Sequence, residues 1–541
     1  MELIIVFFTT LLFSILNIIQ VVRGAFTVPK NSVYIGIPHW YEDYFYYLSH
    51  LTQGASGLWQ TQNWYTTDTI PPNFGWWTNI VLGKIGNLLS LDPWVSYRSM
   101  IFILCFLLIL TMYAVSKKLF PDRQLLRLSA FLLSLMGTAF FAFGPVLKGM
   151  TIIPYTFFFS TTLSLNRLGG TVHQLTANII SLILILTITS ALTKACEKKH
   201  IYQLLPLYIL LSILAFLLTM LQPIAGLMIL GVTGLGICIL SVKKINWNLI
   251  TRYFLIFFAL FIPIILVCFK FYLLSKHPFY TYTLKTYEGS IPPASPFTLL
   301  LSLGGIAVCI PFGILPWMKK KSVLHLLGGI YGILPFFLYL SPIPQIVGIQ
   351  YSRILQPGSH VFLAAIAIMG LWNIAQWIHK KIHTRSPVLI FTLLCTLLLL
   401  LHTPVIMWEV RERLKAGDEF KNFNTIPTSL YDALTFLKTQ PFGNCIAPYW
   451  ESLYIPIIAG KTVYMGHRTM TVNYEKKMTE ASAFLSMNIS TQDAALFLSK
   501  NRIRYVVVPY DAKWQKTFQE MYPFLFPLKT SASHVVYDVR L

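Results

Sequence analysis

The residues best suited to chemistry lie in the stretch Ile37-Pro38-His39-Trp40-Tyr41-Glu42-Asp43-Tyr44-Phe45-Tyr46-Tyr47-Leu48-Ser49-His50. Adjacent carboxylates and a pair of imidazoles stand there among aromatic rings. A carboxylate so placed can take a proton from a hydroxyl, which is the work of a general base. Pro38 suits a helix start. At helical spacing Trp40, Tyr44, Tyr47, Leu48 and Leu51 form an apolar stripe, beside a polar one of His39, Asp43, Tyr46 and His50. A plainer reading stays open for Glu42 and Asp43, because the helix dipole favours acids in any first turn. For His39 and His50 the plainer reading is packing or an interface role, since no further His or acid stands at metal-ligand spacing.

A cation of a different kind occurs in Ile349-Gln350-Tyr351-Ser352-Arg353-Ile354-Leu355-Gln356-Pro357-Gly358-Ser359-His360. Arg353 is the only formal charge between Lys321 and Lys380. A guanidinium isolated among apolar residues needs an anionic partner, and a phosphate matches its planar fork. Snorkelling to a lipid phosphate is the alternative. Lys148, Arg167, Lys276 and Lys285 are further cations in connecting segments, and Glu288 is an acid; each read alone is a solvated loop charge.

The elements that must position these groups are membrane helices. The 541 residues are 55% hydrophobic and 11% charged, against roughly 45–50% and about 25% in a globular chain. That excludes a soluble enzyme. About eleven stretches are long and apolar enough to span a bilayer: 3–22, 99–116, 128–147, 172–193, 202–220, 224–242, 250–272, 297–317, 322–340, 360–379 and 387–406. The net charge of +22 would suggest nucleic acid in a soluble chain, but here the cations cluster between apolar runs. Lys117, Lys118, Arg123 and Arg127 form one cluster; Lys194, Lys198 and Lys199 another; Lys243, Lys244 and Arg252 a third. Lys319 to Lys321, then Lys380, Lys381 and Arg385, follow. They occupy alternate loops, so the positive-inside rule predicts a cytoplasmic N-terminus and an outward C-terminus in a multi-pass plasma membrane protein. The first segment lacks a basic n-region and is too long for a signal peptide, so it reads as a span.

Segments 24–98, 148–171, 273–296 and 341–359 then face outward. The first carries Trp40, Trp59, Trp64, Trp76, Trp77 and Trp94, which suits interfacial helices roofing the membrane domain. After Met407 the composition turns globular. Strand patterns at Asn444–Tyr449, Lys461–Met465 and Arg504–Pro509 alternate with helical ones at Ser429–Lys438, Tyr474–Leu485 and Thr491–Asn501. The expected architecture is mostly α: a transmembrane helical bundle over 1–407, with 24–98 as its first outside loop, and a small extracytoplasmic α/β domain over 408–541. Gly443-Asn444-Cys445-Ile446-Ala447-Pro448-Tyr449 and Gly466-His467-Arg468 show no nucleophile-elbow or phosphate-loop motif. This end therefore reads as a scaffold or acceptor-recognition domain.

An outside loop opening with acids after the first span, about eleven spans, Arg353-Ile354-Leu355-Gln356-Pro357 entering a late span, and an exported C-terminal domain together resemble the GT-C glycosyltransferases. The layout is most similar to the protein O-mannosyltransferase and aminoarabinose-transferase branch. Glu42 to Ser49, followed by Gln53-Gly54 and Gly57-Leu58-Trp59, also resembles the corresponding loop of bacterial membrane proteins of this type. The resemblance implies inverting transfer of a sugar from a polyprenyl-phosphate donor to an acceptor on the outer face. It implies Asp43 as base, with Glu42 as neighbour or substitute, and Arg353 on the donor phosphate, with Arg167 and Lys148 as further phosphate contacts. His39, Tyr46 and His50 would line the substrate pocket. No metal ligand set is assigned; if a divalent metal takes part, Asp68 and Glu288 are the candidates. Membrane lipids are the remaining expected partners, and nucleic acid is not one.

Other classes remain open on sequence. A transporter or flippase for a lipid-linked sugar would carry ionisable residues or broken helices at mid-membrane. Here the spans are nearly free of charge and the polar groups gather on one face. A non-catalytic envelope assembly protein would make the acids after Pro38 dispensable.

Overall fold

The computed structural model describes residues 1–146, 149–156, 161–197, 201–243, 247–288, 292–383, 386–419 and 424–541. The chain folds as two compact units built from interleaved stretches: Met1–Asn17 with Ile101–Arg413, and Ile18–Met100 with Leu414–Leu541. Segment 24–98, grouped with the spans on sequence, thus clusters with the C-terminal region.

The first unit is helical. Among the described residues, seven helices are long and apolar enough to cross a membrane: Pro93–Leu119, Val172–Cys196, Tyr202–Leu221, Pro223–Val242, Trp247–Ser275, Pro357–Ile382 and Pro387–Ala416. The number rises to nine if each of two bent helix pairs is one span. One pair is Pro296–Ser302 with Gly305–Met318, turned by 92°. Each of the eleven stretches contains a helix, but outside the two bent pairs two of these helices are short. Gln124–Met136 has 13 residues, about 20 Å at the α-helical rise, less than the roughly 30 Å hydrocarbon core. Where the sequence suggests a span over 128–147, the helix stops before Gly137. The chain continues as an antiparallel hairpin of Phe141–Val146 and Gly149–Pro154. Gly137, Gly144 and Pro145 interrupt the helix. Val323–Tyr339 is the other short helix.

The second unit joins segment 24–98 to the C-terminal region by direct pairing. Ser32–Tyr34 forms an antiparallel ladder with Thr425–Pro427, Val33 opposite Ile426. Helix Tyr41–Ala55, which bears the acids, crosses Trp77–Leu88 at backbone contact. A Cβ on Gly54 would lie 2.2 Å from the Ile80 carbonyl oxygen, and one on Gly83 2.0 Å from that of Leu51. Only glycine at both crossing points permits this approach. Helix Tyr449–Ile458 packs on the same acid-bearing helix. The Thr52 hydroxyl donates to the Ile457 carbonyl at 2.7 Å, and the Phe45 and Tyr454 rings meet edge-on at 5.1 Å.

The C-terminal sheet is mixed, in the order Asn444–Ile446, Ile503–Pro509, His534–Val539, Leu525–Thr530. Its first pair is parallel and the others antiparallel. Phe484, Leu498, Val506, Phe518, Tyr522 and Val535 form its core. The expected helices are present at Thr428–Thr439, Tyr474–Leu485 and Thr491–Lys500. Two strand expectations are corrected. Asn444–Tyr449 ends as a strand at Ile446, because Pro448 lacks an N–H for the ladder and opens the helix at Tyr449. Of Lys461–Met465 only Val463 bridges, to Cys445.

Candidate functional site

The acid-bearing helix begins at Tyr41, three residues after Pro38, with Trp40 as N-cap and Glu42 and Asp43 in its first turn. The two carboxylates have different surroundings. Glu42 is buried and accepts a hydrogen bond from the Tyr449 hydroxyl. Burial, and then Glu42 itself, hold the Tyr449 phenol far above its ordinary pKa, so it remains a donor. Asp43 keeps 35% of its side chain exposed, and its Oδ1 lies 3.8 Å from Nε2 of fully buried His467. Glu42 is thus held inside the unit, while Asp43 keeps part of its side chain at the surface.

The expected pocket residues fall around these acids, more deeply than their spacing suggests. His39 Nε2 is 3.1 Å from the Tyr97 hydroxyl, and its ring stands against Tyr44 and Tyr47. Burial pushes its pKa down to about 4, with Asp43 partly opposing, so the imidazole is neutral at physiological pH. Tyr46 is buried, with its ring 4.4 Å from His50 and 5.7 Å from His467. His50 is wholly interior, between Tyr46 and Trp76. Tyr46 and His50 therefore lie inside the unit, packed with Trp76. The tryptophans divide in the same way: Trp40 and Trp59 are exposed, while Trp64 and Trp94 are buried, since Trp64 lies on the stretch whose carbonyl receives the Val463 N–H.

Among the expected phosphate contacts, Arg353 sits exposed in the 3-10 turn Tyr351–Ile354 of the helical unit. Its backbone N–H donates to Gln350 and its carbonyl accepts from the Gln356 amide. Arg167 is placed differently from the expectation. It is buried, and its terminal nitrogens donate to the carbonyls of Thr162, Ser134, Leu135 and Gly137 at 2.8–3.1 Å. The last three belong to the C-terminal end of helix Gln124–Met136, where helical carbonyls lack intrahelical partners and a cation is favoured. Lys148 and the side chain of Glu288 lie outside the described residues.

Asp68 is held by Lys477 and by the Thr66 hydroxyl. Among the described residues no group of three His, Cys, Asp or Glu side chains is arranged to hold a metal ion. Two residues that matter here went unmarked on sequence. Tyr449 and His467 approach the acids from more than 400 positions away, and on sequence each stood only inside a short string, Gly443 to Tyr449 and Gly466-His467-Arg468, with no role attached.

No family model matches the chain, and no curated protein matches it in sequence. Solved structures match its fold. The archaeal oligosaccharyltransferase AglB from Archaeoglobus fulgidus, in complex with an inhibitory peptide and a dolichol-phosphate, is 12% identical. That match covers 98% of this chain and 74% of that one, with a TM-score of 0.51. An A. fulgidus oligosaccharyltransferase in the apo form gives 11%, 98%, 74% and 0.53. The arabinofuranosyltransferase AftD from Mycobacteria gives 10% identity over 100% of this chain, 40% of its own length and a TM-score of 0.50.

Proposed function

We propose that this polytopic membrane protein, which has the fold of the GT-C glycosyltransferases, transfers a sugar from a polyprenyl-phosphate donor to an acceptor at the outer face of the plasma membrane, inverting the anomeric carbon. A protein of similar fold was captured with a dolichol-phosphate, which supports a lipid-phosphate donor. In this reading the acceptor oxygen attacks the anomeric carbon, the bond to the phosphate oxygen breaks, and the acceptor proton passes to a carboxylate. The N-terminus is cytoplasmic, so the first loop and the C-terminal region meet the acceptor outside.

The observation that carries the assignment of the base is the contrast within the acid pair. Glu42 is committed to Tyr449, while Asp43 is open to solvent. Asp43 is therefore the base, and Glu42 holds the C-terminal region against the helix. Neutral His39 adds no competing cation beside Asp43. Arg353 receives the charge that develops on the leaving lipid phosphate. Arg167, spent on carbonyls, keeps the helical scaffold in place.

The test uses the full chain in nanodiscs with a panel of undecaprenyl-phosphate hexoses and pentoses, envelope extract as acceptor, and release of undecaprenyl phosphate as the readout. Asp43→Asn lowers turnover about 10²–10⁴-fold, with unfolding temperature unchanged. Glu42→Gln retains turnover within about tenfold, the scale of a single hydrogen bond. Arg353→Ala raises KM for the donor. Wild-type turnover in both Asp43→Asn and Arg353→Ala would sink the reading.

A further inference from the structure

We infer that His467 is a positioning residue for Asp43: its Nε2–H orients the carboxylate, so the C-terminal region belongs to the catalytic apparatus. This rests on Asp43 being the base. The tautomer follows from the hydrogen bonding of the other ring nitrogen. Nδ1 lies 3.2 Å from the Thr469 backbone N–H, which can only donate, and 3.2 Å from the Thr469 hydroxyl. Nδ1 is thus an acceptor, and the ring proton resides on Nε2.

That N–H points into a closed setting. His467 is fully buried, and no described residue lies within hydrogen-bonding distance of Nε2. The Tyr46 and Tyr65 rings pack against the imidazole at 5.7 and 5.9 Å and restrict its rotation. The acid paired with Nε2 is Asp43, at 3.8 Å. A buried donor without an acceptor is costly, so rotation of the partly exposed Asp43 toward it is favourable. One carboxylate oxygen then accepts from His467, while the other faces the acceptor hydroxyl.

Paired substitutions separate this role from simple packing. In His467→Gln the side-chain amide reaches the Nε2 position and still donates to Asp43. In His467→Asn the shorter side chain fills the Nδ1 side, meets Thr469, and falls short of Asp43. In the undecaprenyl-phosphate sugar assay, His467→Asn lowers kcat on the order of 10–100-fold, the scale of a misplaced catalytic group, with KM unchanged. His467→Gln restores most of it. Equal activity in wild type and His467→Asn, with Asp43→Asn inactive, overturns this inference and leaves the base assignment standing. Full activity in Asp43→Asn overturns the base assignment itself. A second measurement needs no substrate: NMR of isotope-labelled imidazole nitrogens, assigned by loss of the signal in His467→Gln. We expect the Nε2–H tautomer for His467 and a shift of its Nε2 resonance in Asp43→Asn. The opposite tautomer, or an unmoved resonance, overturns the proposal.

Discussion

In the helical unit, Arg167 is buried with both terminal nitrogens on carbonyl oxygens, whereas in the second unit Asp43 leaves about a third of its side chain in solvent. The surroundings follow the same division. Near Arg167, Glu409 accepts the backbone N–H groups of Leu165 and Asn166, and Arg413 donates to Asn17 and Asn166. These charges face backbone or amide groups, as polar groups removed from water must. Around Asp43 the supporting groups are side chains, with Tyr449 on its neighbour Glu42 and His467 beside it. A charge whose bonding capacity is consumed internally holds structure; one supported from behind and open in front is available for reaction.

The largest effect that sharpens this contrast is on stability in the helical unit. Arg167→Met strands helix-terminal carbonyls, and we expect a loss of about 3–5 kcal/mol, as for other buried charged groups deprived of a partner. It is read as collapse of folded, monodisperse protein in detergent. Unchanged unfolding in Arg167→Met would dissolve the distinction.

A smaller effect arises at His39. Its folded pKa, pushed to about 4 from 6.5 by burial, means that the unfolded chain binds the proton first. Stability therefore falls as pH drops from 6.5 toward 4. At pH 5 the loss relative to His39→Gln is about 1–2 kcal/mol, measured by denaturant titration at pH 7 and pH 5. Parallel loss in the two proteins would count against a buried neutral imidazole.

The smallest effect is at Asp68. Burial raises its carboxyl, but the bonds from Lys477 and Thr66 outweigh this and hold it below its ordinary value of 3.8. The stabilisation is present above that value and is lost as pH falls through the folded pKa. Because Asp68 is partly exposed, Lys477→Met costs about 1 kcal/mol at pH 7, and the difference from wild type vanishes in strong acid.

Apolar helices were legible because hydropathy over a long window is local information. Their ends were less so, as Gln124–Met136 shows: the following residues are apolar enough to continue, yet glycine and proline turn them into a hairpin. Arg167 reads as a loop cation, since nothing local reveals the carbonyls of Ser134 and Leu135 more than thirty positions away.

The sequence alone determined that the chain is a membrane protein with a globular C-terminal end, and that Glu42 and Asp43 open a helix. Each of these rests on composition or on the short-range helical period. Only the tertiary structure decided what surrounds each carboxylate, by bringing Tyr449 to Glu42 and His467 to Asp43. It likewise decided that the first loop clusters with the C-terminal region. The physical reason is that solvation and hydrogen bonding of a side chain depend on neighbours in space, and those neighbours lie hundreds of residues apart along the chain.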